Sequence, residues 1–194
     1  MGENELIFVN DGSTDASMNI LEVIAQQNKN VRVISFLRNF GHEAAMIAGI
    51  DHAAGDVIIC MDADLQHPLE CIAPIMAKFE EGYEVISMVR TSNKSAGAIK
   101  NFTSRAFYRV INALSDQVKL EENASDFFAI SSRVADVLRT NYREKTRFLR
   151  GYVQSVGFRK TTLEYTAAER AGGASHYTLK KLMNFAISTI VGFF

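Results

Sequence analysis

The 194-residue sequence has no excess of charge, few cysteines and no apolar run long enough to cross a bilayer. A formal net charge of -1 excludes a whole-molecule attraction to nucleic acid, so any anionic ligand has to be held by locally placed arginines. The two cysteines, Cys60 and Cys71, lack metal-ligand spacing, and we interpret both as reduced core residues. Hydrophobic residues make up 47% of the chain, which favours a folded domain over a disordered one.

The two ends of the sequence give different signals about location. The first residues lack the basic and apolar regions of a secretory leader, so we expect the ordered part of the protein in the cytoplasm. The run 182–194 is mostly apolar but falls well short of the roughly 20 residues that a spanning helix needs. Because Lys180 and Lys181 precede it, the run predicts an interfacial helix or the first half of a spanning one, with a terminal core helix as the alternative. We accordingly divide the chain into a domain over 1–178 and an apolar segment over 179–194.

Short apolar runs alternate with helical patterns along the first half of the chain. Strands are predicted over 5–10, 31–36, 56–61 and 85–89, and helices over 18–27, 41–54 and 68–81. Further on, the pattern predicts a helix over 100–114, a strand over 127–130 and a helix over 133–141. This alternation indicates an α/β fold with a mainly parallel sheet flanked by helices, and no internal repeat interrupts it.

Polar residues follow directly after the predicted strands. They are Asn10-Asp11-Gly12-Ser13, Leu37-Arg38-Asn39, Asp62-Ala63-Asp64 and Arg90. Because ligands of such folds gather at the carboxyl ends of parallel strands, we expect these segments to form a binding site.

Asp62 and Asp64 are the strongest candidates for a metal site. They stand one residue apart at the end of a buried strand, and Gln66 adds a neutral oxygen. Oxygen ligands of this kind suit Mg²⁺ or Mn²⁺. The alternative, about equally good for any two acids in a strand-end turn, is that Asp64 only stabilises the turn or the start of the next helix.

Five motifs together resemble family 2 glycosyltransferases, in particular the polyprenyl-phosphate group that contains dolichyl-phosphate mannosyltransferase and bactoprenol glucosyltransferase. The motifs are VNDGSTD at 9–15, RNFG at 38–41, MDADLQHP at 61–68, RFLRG at 147–151 and RAGGASHY at 170–177. They occur in the family's order and approximate spacing, and the resemblance covers essentially the whole chain. It implies a GT-A fold and the inverting transfer of a hexose from a nucleotide-diphosphate sugar, of the UDP-glucose or GDP-mannose type, to a polyprenyl phosphate.

The resemblance also implies a set of donor contacts. Asp11, with Gly12 and Ser13, would contact the nucleoside, and Asp62, Asp64 and Gln66 would hold the metal on the diphosphate. The remaining expected donor contacts are Arg147, Arg150, Arg170 and Ser175. In this family the arginine that opens the last motif lies on a loop that closes over the donor. Taken singly, the first motif is also a good turn and helix cap, and the arginines are also good surface charges.

Roles on the acceptor side depend on the chemistry of the acceptor. Arg90 and Arg105 resemble family positions near the acceptor phosphate. A lipid phosphate is already anionic and needs no strong general base, so catalysis would rest on Asp64 and Arg170 at the leaving group. A sugar hydroxyl would need a base, for which Asp126 is the candidate, although it is equally well interpreted as a loop carboxylate.

Three positions depart from the family pattern, namely Asn10, Phe128 and His176, and we treat all four histidines as structural or exposed. The first strand of the family's sheet is expected to be missing. The resulting free strand edges favour association into a homo-oligomer, and we expect weak or no activity from the 194-residue chain. Alternative functions are transfer to a hydroxyl of a cell-surface polysaccharide, or an inactive nucleotide-binding or scaffolding remnant. The expected partners are a nucleotide-sugar donor, a lipid phosphate and the cytoplasmic face of a membrane, without nucleic acid.

Overall fold

A computed structural model describes residues 4–91, 121, 124–142 and 148–168 of the chain. Its elements come in the following order: β1 (Leu6–Asn10), α1 (Ser17–Gln27), β2 (Val31–Ser35), α2 (His42–His52), β3 (Val57–Cys60), a 3₁₀ turn (Leu69–Cys71), α3 (Ile72–Glu80), β4 (Val85–Arg90), β5 (Ala124–Ser131), α4 (Ser132–Asn141), α5 (Leu149–Ser155) and β6 (Lys160–Tyr165). The helix predicted over 100–114 lies outside the described residues.

The predicted strands and helices of the first half are confirmed, with one change at the start of the third helix. Pro68 is followed by the 3₁₀ turn, so α3 begins at Ile72 rather than within the first residues after the proline. The extended backbone at Pro68, with ψ of 132°, delays the helix. The Asp62–Gln66 loop is therefore joined to α3 by a short connector and not directly.

The strands form two sheets. β1 and β2 pair in parallel, and the larger sheet has the order β3-β5-β4-β6. In the larger sheet β4 and β6 are parallel, while β5 pairs antiparallel with both β3 and β4. Three of these strands thus run in one direction, and the reversed β5 between them is the difference from the expected mainly parallel sheet. Apolar periodicity does not encode strand direction, so the sequence pattern gave no sign of this reversal.

Strand β5 divides the core into two layers because its side chains alternate between the faces of the sheet. Phe128 and Ile130 pack with α2, α4 and α5 on one face. Phe127 and Ala129 pack with residues of α3, β4 and β6 on the other face. Strand β5 is thus an inner strand of the larger sheet and is buried on both faces.

Helix α2 links the two sheets, since it contacts both β1 and β3. Its last carbonyl groups accept hydrogen bonds from two arginines. The guanidinium of Arg139 donates to the carbonyl oxygens of Ile50 and Ala53, the latter over 2.7 Å, and Arg32 donates to that of His52 over 2.9 Å. These cationic caps satisfy carbonyl groups that have no partner within the helix and favour the negative end of its dipole.

Cys60 and Cys71 are both free thiols. Burial raises the pKa of Cys60 to about 12, which keeps that side chain uncharged. Among the described residues, no helix is both long and apolar enough to pass through a bilayer.

Candidate active site

The first sequence motif lies between β1 and α1, and its Asp11 binds the loop that precedes α2. The carboxylate of Asp11 accepts hydrogen bonds from the backbone N–H groups of Phe40, over 2.7 Å, and Gly41, over 2.9 Å. A third bond comes from the side-chain amide of Asn39 over 2.9 Å. A carboxylate beside the first N–H groups of a helix stabilises its positive end. Asp11 therefore fixes where α2 begins.

Gly12 and Asn10 lie beside Asp11 at the end of β1. Gly12 has a φ of 68°, and a Cβ atom placed there would lie 2.4 Å from the carbonyl carbon of Arg38, so the two loops touch through their backbones. Asn10 is buried and binds in two directions, accepting from the N–H of Ser13 and donating to the hydroxyl of Ser35. The asparagine that departs from the family pattern thus ties the end of β1 to the end of β2.

Asp62 and His67 contact each other in the loop that follows β3. The backbone N–H of Asp62 donates to Nδ1 of His67 over 3.0 Å, so the proton of the neutral ring belongs on Nε2, which lies 3.8 Å from the Asp62 carboxylate. The ring stacks on Phe127 and meets Tyr165 edge-on. Burial lowers the pKa of His67 despite the nearby Asp62, which favours this neutral form. His67 is a structural residue of the loop.

Asp64 and Gln66 lie on the same loop. One oxygen of Asp64 accepts the backbone N–H of Gln66, which is the turn-stabilising contact weighed above as the alternative role. The side chain of Gln66 contacts the guanidinium of Arg90 at 3.5 Å and the carbonyl oxygen of Ala168 at 3.4 Å. Leu65 between them has a φ of 62°, a left-handed conformation that is unusual for a residue with a branched side chain. The loop is sharply turned, and Gln66 connects it to Arg90 at the end of β4 and to Ala168 beyond β6.

The donor set of this loop fits a hard divalent cation. Asp62 keeps 37% of its side-chain surface accessible and meets its histidine neighbours only at 3.7 and 3.8 Å, so its carboxylate is not engaged at hydrogen-bonding distance by either imidazole. Within the described ranges, no three His, Cys, Asp or Glu side chains are arranged as a metal-binding group. Mg²⁺ is normally bound by one or two carboxylates together with phosphates of the substrate, so such a cage is not required. Asp62 and Asp64 are two carboxylates of that kind, and their role as metal ligands stays a prediction.

A further carboxylate, Asp126, lies next to the first residue of α2 and to Arg150 of α5. Asp126, on β5, has one oxygen bound by the guanidinium of Arg150, with a distance of 3.0 Å to Nε. Its other oxygen lies 3.4 Å from Nε2 of His42, and the same Nε2 lies 3.7 Å from the carboxylate of Asp62. A histidine thus stands between two acids, one in the loop after β3 and one on β5.

The charges of this cluster act on one another. Burial tends to raise the pKa of Asp126, but contacts with His42 and Arg150 more than offset it and hold that pKa well below its usual range. Contact with Asp126 raises the pKa of His42 against the opposing effect of burial. Asp126 is consequently a firmly ionised carboxylate and a weak base.

Glu43, the neighbour of His42, extends the cluster to α5. Its carboxylate accepts the backbone N–H of Leu149 over 2.9 Å, at the first turn of the helix that carries Arg150. Burial raises the pKa of Glu43, while the N–H of Leu149 acts in the opposite direction. The first two residues of α2 therefore hold β5 and α5 together.

Comparison with known proteins assigns the family. A model of glycosyl transferase family 2 matches residues 2–139. The chain belongs to glycosyl transferase family 2. Among its relatives, the uncharacterized glycosyltransferase YkcC of Bacillus subtilis (strain 168) is 40% identical over 97% of this chain and 58% of its own length. A bactoprenol glucosyl transferase of Shigella phage SfV is 37% identical over 98% of this chain and 62% of its own length. The chain thus spans about three fifths of these relatives.

Solved structures give the fold. Glucosyl-3-phosphoglycerate synthase from Mycobacterium tuberculosis, determined with Mn²⁺ and UDP-glucose, superposes with a TM-score of 0.51 and 17% sequence identity, over 97% of this chain and 66% of that one. The family 2 chain has the GT-A fold that the sequence motifs predicted.

The predicted site residues of this family 2 chain fall into two groups. The described ones come from five neighbouring segments at the ends of strands and at the start of α5; they are Asp11, Gly12, Ser13, Asp62, Asp64, Gln66, Arg90, Asp126 and Arg150. Arg105, Arg147, Arg170 and Ser175 lie outside the described residues, as do His176 and the segment 179–194, and their roles stay predictions. The donor contacts of Asp11, Gly12 and Ser13 also stay predictions, because what these residues visibly do is to brace the loop before α2.

Sequence reasoning missed His42 and Glu43 as members of the site. Both lie in the helix predicted over 41–54, where an acid in the first turn is ordinary and a histidine carries no spacing signal. The only available hint was that they follow directly after the RNFG motif at 38–41, which the resemblance had already marked.

Proposed function

We propose that this protein transfers a hexose, with inversion, from a nucleotide-diphosphate sugar of the UDP-glucose or GDP-mannose type to a polyprenyl phosphate. The observation that carries the proposal is the junction of the Asp62–Gln66 loop with the Asp126–Arg150 pair through His42. It places a metal-compatible acidic loop beside a firmly ionised, weakly basic carboxylate. The membership of family 2 and the bactoprenol glucosyl transferase among the relatives agree with it.

The donor side rests on the Asp62–Gln66 loop. We infer that Asp62 and Asp64 hold Mg²⁺ or Mn²⁺ against the diphosphate, as the protein share of a site completed by phosphate oxygens. When bound, the cation supplies positive charge for the leaving diphosphate as the bond from sugar C1 to phosphate breaks. We keep Arg170, Arg147 and Ser175 as expected contacts of that diphosphate and Asp11 as the expected contact of the nucleoside.

The acceptor side distinguishes between two chemistries. A phosphate oxygen attacks C1 without losing a proton, whereas a sugar hydroxyl has to give its proton to a base. Asp126 is poorly suited to take that proton, since Arg150 and His42 occupy both of its oxygens and its pKa is lowered. This favours a lipid phosphate over a polysaccharide hydroxyl. Arg90, at the end of β4 and next to Gln66, is the described arginine that we assign to the acceptor phosphate.

A lipid acceptor implies work at a membrane. We propose that the protein acts at the cytoplasmic face, where nucleotide sugars are available, and that the basic and apolar segment 179–194 contributes to the association. The domain over 1–178 is the corresponding catalytic unit in this proposal. Addition of vesicles of anionic and neutral lipid, followed by sedimentation, should pull the protein down, and deletion of 179–194 should weaken this at least severalfold.

Calorimetry with UDP-glucose and with GDP-mannose, each with and without Mn²⁺, separates an active transferase from an inactive remnant. We expect one of the two donors to bind in the micromolar to millimolar range only when Mn²⁺ is present, and Asp62→Asn to remove the metal-dependent part. Glu22→Gln, on the exposed face of α1, is the matched control for loss of one acid. No metal-linked binding of either donor would contradict the proposal and favour a remnant.

A further inference from the structure

The position of His42 is not explained by a role in folding alone. Its Nε2 atom lies 3.4 Å from Asp126 and 3.7 Å from Asp62, and the side chain keeps 40% of its surface accessible. The two acids belong to the acceptor side and the donor side of the proposed reaction. The imidazole ring lies next to both carboxylates and so connects the two sides.

The helix that carries His42 is held at both ends by side chains. Asp11 binds the N–H groups that precede it, and Arg139 binds the carbonyl groups at its end. Glu43 then fixes α2 to the first N–H of α5, beside Arg150. His42 is therefore mounted on a restrained element, which is what the accurate placement of a functional group requires.

We propose that His42 is a positioning residue that sets the separation and orientation of the Asp62 and Asp126 carboxylates for hexose transfer. Arg150 restrains one oxygen of Asp126, and His42 restrains the other oxygen while it also faces Asp62. Removal of His42 leaves two acids without the donor between them, so that each turns toward solvent or toward its remaining partner. This inference rests on the proposed function, and it adds a residue that acts through other residues and does not touch the reacting atoms.

The test uses four variants of the purified full-length protein. His42→Ala removes the imidazole, His42→Gln places an amide N–H near the position of Nε2, and His42→Asn is too short to reach it. His52→Gln, at the other end of the same helix and exposed, is the matched control. Transfer of labelled glucose from UDP-glucose to undecaprenyl phosphate gives kcat and KM, and calorimetry gives the Mn²⁺-dependent affinity for UDP.

Loss of an outer partner of a metal-ligating carboxylate typically lowers activity or metal affinity by about 10- to 100-fold. We therefore expect kcat of His42→Ala and His42→Asn to fall about tenfold or more, with KM for the lipid phosphate within about twofold of wild type. His42→Gln should return kcat to within about threefold of wild type, and His52→Gln should not differ from it. The Mn²⁺-dependent affinity for UDP should fall several-fold in the alanine and asparagine variants and stay within about twofold of wild type in the glutamine variant.

Different results overturn different claims. If the wild type is active and the kcat of His42→Ala stays within about twofold of it, the role of His42 is contradicted. The same holds if His42→Gln and His42→Asn are equally impaired. Neither result contradicts the proposed function. A wild type that makes no glucosylated lipid contradicts the proposed function. In that case the calorimetry with UDP still tests the role of His42. An unchanged Mn²⁺-dependent affinity for UDP in both His42→Ala and His42→Asn contradicts that role.

Discussion

The unit β1-α1-β2 and the four-stranded sheet β3-β5-β4-β6 are stabilised in different ways. Helix α1 has no buried residue, and Ile20 and Val23 are 57% and 51% exposed. In β5, by contrast, five of eight residues are buried, and Phe127 and Ile130 are fully so. The larger sheet is held by apolar burial on both faces, whereas the first unit is held at its loops by polar contacts to the start of α2. The candidate site lies where these two kinds of structure meet.

The difference matters for function because the two regions contribute different residues to the candidate site. The larger sheet contributes Asp126 and Arg90 from strands that have little freedom to move. The first unit contributes Asp11, whose carboxylate fixes the beginning of α2 and with it His42. Among the described residues, β1 is paired only with β2 and β3 only with β5, so no strand hydrogen bonds join the two sheets. Helix α2 is the element that joins them.

The largest expected effect on stability comes from a large-to-small change in the larger sheet, and a similar change in α1 is the comparison. Phe127→Ala empties a fully buried position of the larger sheet and should lower the free energy of unfolding by about 3–5 kcal/mol. Ile20→Ala, on the exposed face of α1, should change it by no more than about 0.5 kcal/mol. Urea unfolding followed by circular dichroism measures both. Equal losses in the two variants would mean that α1 is packed as tightly as β5.

A smaller effect should come from the backbone contact that holds the first unit. Gly12→Ala imposes a positive φ on an alanine and drives its Cβ into Arg38, and we expect a loss of about 2–4 kcal/mol. Gly157 also has a positive φ, of 77°, but a Cβ atom added there would have no neighbour within 4 Å. Gly157→Ala therefore measures the backbone strain without the steric clash. Its loss should be about 1 kcal/mol. If the two variants lose the same stability, the close approach of the two loops is not a constraint.

The smallest effect concerns Glu43, which joins α2 to α5. Because burial raises its pKa above 4.5, the folded protein binds this proton more tightly, and ionised Glu43 lowers stability as pH rises through that raised pKa. Glu43→Gln keeps an acceptor for the N–H of Leu149 without the buried charge. The variant's melting temperature relative to wild type should therefore be higher at about pH 8 than at about pH 4.

Thermal unfolding of Glu43→Gln and of wild type at both pH values measures this, with the exposed Glu22→Gln variant as control for a change in net charge. A melting-temperature difference that falls from the lower to the higher pH would show that Glu43 is stabilised by its ionisation, which is the opposite sign.

The sequence predicted β1 to β5 because each contains a short apolar run, and it did not predict β6, whose sequence KTTLEY is largely polar. It marked a candidate donor loop for a chemical reason, since Asp62, Asp64 and Gln66 stand at alternate positions and their oxygens suit one cation, and that role stays a prediction. It did not predict the reversed direction of β5 or the pairing of Asp126 with Arg150, because the two residues are 24 positions apart and belong to different elements. His42 was missed for the same reason, as its two acidic neighbours come from the loop after β3 and from β5.

The roles proposed for Asp62 and Asp126 meet in a single competition assay. Labelled UDP-glucose and Mn²⁺ are supplied together with undecaprenyl phosphate and a bacterial oligosaccharide, and the label is followed into organic-extractable lipid and into the glycan. The account predicts that label enters the lipid phosphate, that Asp62→Asn abolishes this transfer, and that Asp126→Asn slows it without stopping it. Label in the oligosaccharide alone, with complete loss in Asp126→Asn, would contradict it and make Asp126 a general base.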